Sequence, residues 1–126
     1  MSNLFEIKVC GINDEISMKT ALKCKVDYVG LVFYENSPRN ITINLSRKLL
    51  KSRNNTTKIV ALTVDPNDDF LNEIKNNINP DYIQLHGKES SRRCNNIKNQ
   101  LNIPLIKGIN VNNKIDLLRT SKEFED

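Results

Sequence analysis

Five short apolar runs punctuate the chain, beginning near Phe5, Tyr28, Lys58, Tyr82 and Pro104. Each is followed by a polar turn and then by a stretch with helical spacing, which predicts five strand-helix units. The runs Tyr28–Phe33 and Ile59–Val64 are apolar at almost every position, as expected of parallel strands buried on both faces. In the intervening stretches apolar residues recur at three- and four-residue steps, Leu71, Ile74 and Ile78 in one and Cys94, Ile97 and Leu101 in another, so each presents one face to the sheet. Asn13, Asn67 and Ser90 stand where helix N-caps are needed, because their side chains can accept from the free N–H groups of a first turn. The pattern predicts an α/β chain of about five βα units, a parallel sheet covered by helices that stops before such a repeat can close. No Gly/Ser-rich or Pro-rich tract divides it, so residues 1–126 are read as a single partial-barrel domain. After the last unit, Pro104 to Thr120, comes a polar stretch ending at Asp126, and no sixth strand is expected.

Length and composition fit this picture. A chain of 126 residues is ample for one core but short for a closed eightfold barrel. With 38% hydrophobic and 27% charged residues, it falls in the globular class and away from the disordered one. The formal net charge of +4 comes from basic residues scattered along the chain rather than gathered in a stripe. Lys, Asn and Ile are all common and all have A/T-rich codons, so the charge is read as background and no nucleic-acid partner is expected. No run of about 18 apolar residues occurs, so no membrane span is expected. The opening Met-Ser-Asn-Leu-Phe-Glu has no basic signal-peptide region, and the protein is expected to be cytoplasmic. Three cysteines without CxxC spacing and a single histidine imply neither a disulfide framework nor a metal.

Side-chain alternation locates candidate chemistry. Lys8 and Cys10 share a strand face, as do Gln84 and His86, and Lys107 sits mid-strand in Leu105–Ile109. Because an unpaired buried charge is costly, these residues are expected to face a polar cavity or one another, and in β/α barrels that cavity opens at the carboxyl ends of the strands. Cys10 reads either as a small buried hydrophobe or as a reactive thiol. The strand end and the following Gly11, which permits a sharp turn and close ligand approach, favour the thiol. Cys24 and Cys94 fall in helical stretches, where packing is the better account. Arg39, after Ser37-Pro38, is either a solvated loop arginine or a fork matched to a carboxylate. His86 is either a site residue or a hydrogen-bonding spacer, and Asp65 before Pro66 reads as a turn.

In order, Lys8-Val9-Cys10-Gly11-Ile12, Gly30-Leu31-Val32-Phe33 with Ser37-Pro38-Arg39, Val64-Asp65-Pro66, Gln84-Leu85-His86-Gly87-Lys88-Glu89 and Ile106-Lys107-Gly108-Ile109 resemble the N-terminal part of the phosphoribosylanthranilate isomerase family over essentially the whole chain. The resemblance implies a (βα)8 barrel enzyme of tryptophan biosynthesis that rearranges N-(5-phosphoribosyl)anthranilate to 1-(2-carboxyphenylamino)-1-deoxyribulose 5-phosphate. It implies a phosphorylated small-molecule substrate and no cofactor. On the same basis Cys10 is the general base at C2 of the ribose, Arg39 holds the anthranilate carboxylate, and Lys8, Gln84 and His86 line the substrate site. The family's acid, an aspartate ending strand six, and its glycine-rich phosphate loops after strands seven and eight are expected beyond this chain, and Asp126 is not given the acid's role. Gly108 stands where the family more often has alanine, and Asp65 where it more often has asparagine. Two other readings are a non-catalytic half-barrel that assembles through its open edges, and another phosphate-handling barrel enzyme such as indole-glycerol-phosphate synthase. The oligomeric state is left open.

Overall fold

The computed structural model describes residues 4–124, so Asp126 and the first three residues lie outside it. Strands β1 (Lys8–Cys10), β2 (Tyr28–Phe33), β3 (Lys58–Thr63), β4 (Tyr82–Leu85) and β5 (Leu105–Lys107) alternate with helices α1 (Glu15–Lys23), α2 (Ile43–Leu49), α3 (Asp68–Ile78), α4 (Ser91–Leu101) and α5 (Lys114–Glu123), and a 3-10 turn (Leu50–Ser52) extends α2. The strands form one parallel sheet in chain order. This is the predicted five-unit α/β repeat, with β1 starting three residues later than the apolar run.

Register divides the sheet into two faces. Val29, Leu31, Ile59, Ala61, Ile83 and Leu85 point to the helices and join Met18, Leu49, Leu71, Ile74, Ile97 and Leu101 in one buried core. The helical stripes fulfil their expected roles, since Leu71, Ile74 and Ile97 are fully buried. Burying a side chain of this size contributes roughly 1.5–3 kcal/mol, so the helix side holds the sheet together.

The opposite face carries Lys8, Cys10, Gly30, Val60 and Gln84. It is concave. In a flat sheet, with strands about 4.8 Å apart, β2 and β4 would lie roughly 10 Å from each other. Yet Tyr28 and Tyr82 meet edge to face with ring centres 5.9 Å apart, and the Lys8 ammonium reaches the amide oxygen of Gln84 across two intervening strands. This is the inner wall of a barrel arc.

Several expectations are corrected. The cap of α1 is Asp14, not Asn13: its backbone is extended, and its carboxylate accepts from Ser17 N–H at 2.7 Å and Ser17 Oγ at 3.0 Å. Asn67 and Ser90 cap α3 and α4 as expected. Lys107 does not share the inner face, because the register Leu85↔Lys107 sets it on the helix side. Its charge is met there by Glu89. Cys24 is exposed at the end of α1, where it does no packing, whereas Cys94 is half-buried against the core, and burial pushes its thiol pKa up.

At the amino-terminal rim Arg53 ties the sheet to α3. It donates to the carbonyls of Ile78 and Asn79 at 3.0 Å each and pairs with Asp81 at 3.1 Å. Asp81 in turn accepts from Ile59 N–H at 2.7 Å. Among the described residues no helix is long and apolar enough to cross a membrane.

Candidate functional site

Cys10 ends β1 on the inner face and is half-buried. Its neighbour across the ladder is Gly30, where a Cβ would stand 2.9 Å from Cys10 Sγ. A side chain at 30 would occupy the thiol's space. Gly11 then turns the chain at φ 87 and donates to the Gly30 carbonyl at 3.0 Å.

The loop after β2 folds back on its own strand. Ser37 N–H donates to the Tyr34 carbonyl, Asn40 N–H to the Ser37 carbonyl, and Ile41 N–H to the Val32 carbonyl at 2.8 Å. This return carries Arg39 toward β1, where Nη1 donates to the Cys10 carbonyl at 2.9 Å. The arginine stem lies on Gly11, since a Cβ there would be 2.4 Å from Arg39 Cδ. Thus a residue of β1 and a loop residue of the second unit meet at one rim. The guanidinium is exposed, and among the described residues Nη2 has no hydrogen-bond partner.

Two residues below Cys10 on the same face, Lys8 donates to Gln84, which lies two residues before His86. His86 follows β4 and donates its N–H to the Thr63 carbonyl at 2.9 Å. Its ring lies over Gly108, where a Cβ would come within 2.3 Å of Nδ1. The five residues singled out from the sequence therefore share the inner wall and its carboxyl rim. Arg39 contacts the backbone of Cys10, and Lys8 contacts Gln84. A cleft of about 540 Å³ between the loops after β2 and β3, lined by Phe33, Tyr34, Asn36, Asp65 and Phe70, includes none of the five.

Sequence reasoning missed Glu89. Its side chain is 1% exposed and pairs with Lys107 at 2.8 Å. Burial by itself would raise its pKa, but the Lys107 ammonium and backbone N–H donors, Asp65's among them, outweigh that and hold it below the ordinary value of 4.5. The signal was legible: a lysine in the middle of a strand demands a partner, and Glu89 closes the motif that begins at Gln84. Asp65, expected at a turn, sits at φ 45, a left-handed conformation that aspartate and asparagine tolerate better than most residues. Among the described residues no group of three or more His, Cys, Asp or Glu could hold a metal.

Helices on one face, a concave polar wall on the other and functional groups at the carboxyl ends of parallel strands define this as a TIM-barrel-type α/β chain. Residues 7–126 match the family described as N-(5'phosphoribosyl)anthranilate (PRA) isomerase. The chain belongs to that family. It is 41% identical over 114 residues to the N-(5'-phosphoribosyl)anthranilate isomerase of Rhizobium rhizogenes, covering 90% of this chain and 51% of the relative, and 39% identical over 111 residues to that of Bradyrhizobium diazoefficiens, covering 88% and 50%. The chain thus spans about half the length of the curated relatives it matches. The crystal structure of phosphoribosyl anthranilate isomerase from Thermotoga maritima superposes with a TM-score of 0.87 at 25% identity, over 94% of this chain and 57% of that one. A phosphoribosyl anthranilate isomerase in complex with reduced 1-(o-carboxyphenylamino)-1-deoxyribulose 5-phosphate gives the same score and identity, over 94% and 60%. These matches favour the isomerase over the half-barrel and indole-glycerol-phosphate synthase alternatives.

Proposed function

We propose that this chain forms the first five βα units of a cytoplasmic N-(5'-phosphoribosyl)anthranilate isomerase of tryptophan biosynthesis, which works without a cofactor. The observation that carries the reading is the meeting of Arg39 with Cys10 at the carboxyl rim. In the proposed reaction the ring oxygen takes a proton as its bond to C1 breaks, and the anthranilate nitrogen's electron pair closes to C1, giving an iminium there. The Cys10 thiolate then takes the C2 proton, leaving a neutral enol-amine, which gains a proton at C1 as its C2 hydroxyl loses one and so becomes the C2 ketone. Arg39 turns its free edge to the anthranilate carboxylate, a planar match for its donors. Lys8, Gln84 and His86 line the wall against which the ribose chain lies. The proton for the ring oxygen is not assigned to any of residues 4–124.

The test is turnover of a chimera in which the C-terminal half of the Rhizobium rhizogenes relative follows Asp126, with substrate and product separated by chromatography. Isomerisation supports the reading, whereas a folded chimera without turnover removes it. Conversion of the carboxyphenylamino sugar to an indole would instead favour the synthase.

A second reading, assembly through open edges, has its own observation. Among the described residues β1 and β5 each lack a strand on one side, and Ile115, Leu117 and Leu118 of α5 are 66%, 51% and 59% exposed. A clean monomer in sedimentation at high concentration would exclude it.

A further inference from the structure

Three elements of the carboxyl rim converge on one buried carboxylate. Glu89 Oε2 accepts from Asp65 N–H at 2.8 Å, and Oε1 accepts from Gly87 N–H at 2.9 Å and from Lys107 Nζ at 2.8 Å. Lys107 also donates to the Gly87 carbonyl at 2.7 Å, and Asp65 Oδ1 accepts from Lys88 N–H at 2.9 Å. Gly87 is packed so tightly that a Cβ would lie 2.6 Å from Asp65 Cγ. All the partners of the carboxylate are donors. An amide of the same shape would have to turn an NH2 toward an N–H or an ammonium, so the site requires an ionised carboxylate and cannot be satisfied by glutamine.

The consequence reaches His86. Its own N–H is held by Thr63, and the next residue, Gly87, is held at both its N–H and its carbonyl. The backbone is thus held on both sides of His86, and its exposed ring rests on Gly108, where a Cβ would collide with it, so the imidazole is limited on that side. We propose that Glu89 is a positioning residue: its carboxylate, held by Lys107, sets the Gly87 peptide and through it the direction in which His86 presents its imidazole at the rim. Only the catalytic consequence rests on the isomerase reading, because the positioning itself can be read without turnover.

His86 is the only histidine in the 126-residue sequence, so its imidazole signals can be followed by proton-carbon NMR in this chain. In Glu89→Gln the His86 signals should broaden or move toward their positions in the urea-unfolded chain. The Asp65 and Gly87 amides should exchange about tenfold faster or more. In Glu89→Gln/Lys107→Met the new amide can turn to the Gly87 carbonyl, and both readouts should recover most of the way. Asp81→Ala, which weakens the opposite rim, should leave His86 unmoved. An unmoved His86 in a folded Glu89→Gln chain, or an equal response to Asp81→Ala, overturns the proposal. If Glu89→Gln does not fold, Lys107→Met decides: a shifted His86 supports the proposal, and an unshifted one overturns it. Unfolding of both single variants, seen by circular dichroism, also overturns it, since the role assigned is local. Turnover of the chimera is measured separately, so failure of the isomerase reading leaves the NMR result standing, and the reverse holds too.

Discussion

Lys8 on β1 donates to Gln84 on β4 across the concave face of the sheet. Two strands lie between them, so the contact exists only because the sheet curls. It places a cation and an amide on the wall two residues beneath Cys10 and His86. There a sugar chain could exchange hydrogen bonds with both without the cost of an unpaired buried charge.

Cys10 ends β1 beside a glycine that leaves space for its sulfur, and it is the base in the proposed reaction. In the chimera Cys10→Ala should lower kcat by roughly 100-fold or more, the usual contribution of general base catalysis. Steady-state kinetics with KM near the parent value would accompany this, and near-normal kcat would remove Cys10 from the mechanism.

Arg39 is anchored by one nitrogen on the Cys10 carbonyl. If Arg39 is the proposed carboxylate clamp, Arg39→Ala removes a grip common to the ground and transition states, so KM should rise by roughly tenfold or more with a smaller change in kcat. Measured KM values for parent and variant check this, and an unchanged KM would dismiss the carboxylate clamp.

Gly11 combines a left-handed backbone with direct contact to the Arg39 stem. Gly11→Ala should destabilise the chain by roughly 1–3 kcal/mol and displace Arg39 as well. Urea unfolding would show the lowered midpoint, and kinetics of the chimera would show the raised KM of Arg39→Ala.

Asp81 accepts from the buried Ile59 N–H and holds Arg53 at the rim away from the site. Asp81→Ala should cost roughly 1–3 kcal/mol, mostly from the orphaned N–H rather than from the partly exposed ion pair. Chemical denaturation would measure the loss, and KM of the chimera should not change.

The pKa of Glu89 is lower in the folded chain than its ordinary value of 4.5, because Lys107 and backbone donors overcome the effect of burial. A depressed carboxylate adds stability that is fully present above that ordinary value and is lost as pH falls through the folded value. Asp14, lowered by its cap bonds to Ser17, acts in the same direction. Urea midpoints should therefore hold steady above about pH 6 and decline in acid, and Lys107→Met should flatten the decline by removing one cause of the shift.

Periodicity alone was enough to call the five strand-helix units, because runs such as Tyr28–Phe33 have no polar face and stripes such as Leu71, Ile74 and Ile78 fit one side of a helix. Short-range chemistry also placed the Asn67 and Ser90 caps, since capping depends on residues three apart. It failed by one residue at α1, where Asn13 and Asp14 are both competent caps and only the path of the chain after Gly11 chooses between them. Lys107 was misplaced for a related reason: alternation groups residues within one strand, but the ladder to β4 decides which face of the sheet each group takes.

What the linear chain determined, then, was the order of elements and the residue types at each strand end, because these follow from patterns a few residues long. Only the tertiary structure decided that Arg39 rests on Gly11, that Lys8 finds Gln84 and that Glu89 gathers Asp65, Gly87 and Lys107. Those meetings join residues from different βα units. They depend on the curl of the sheet and the return of its loops, which no local spacing encodes.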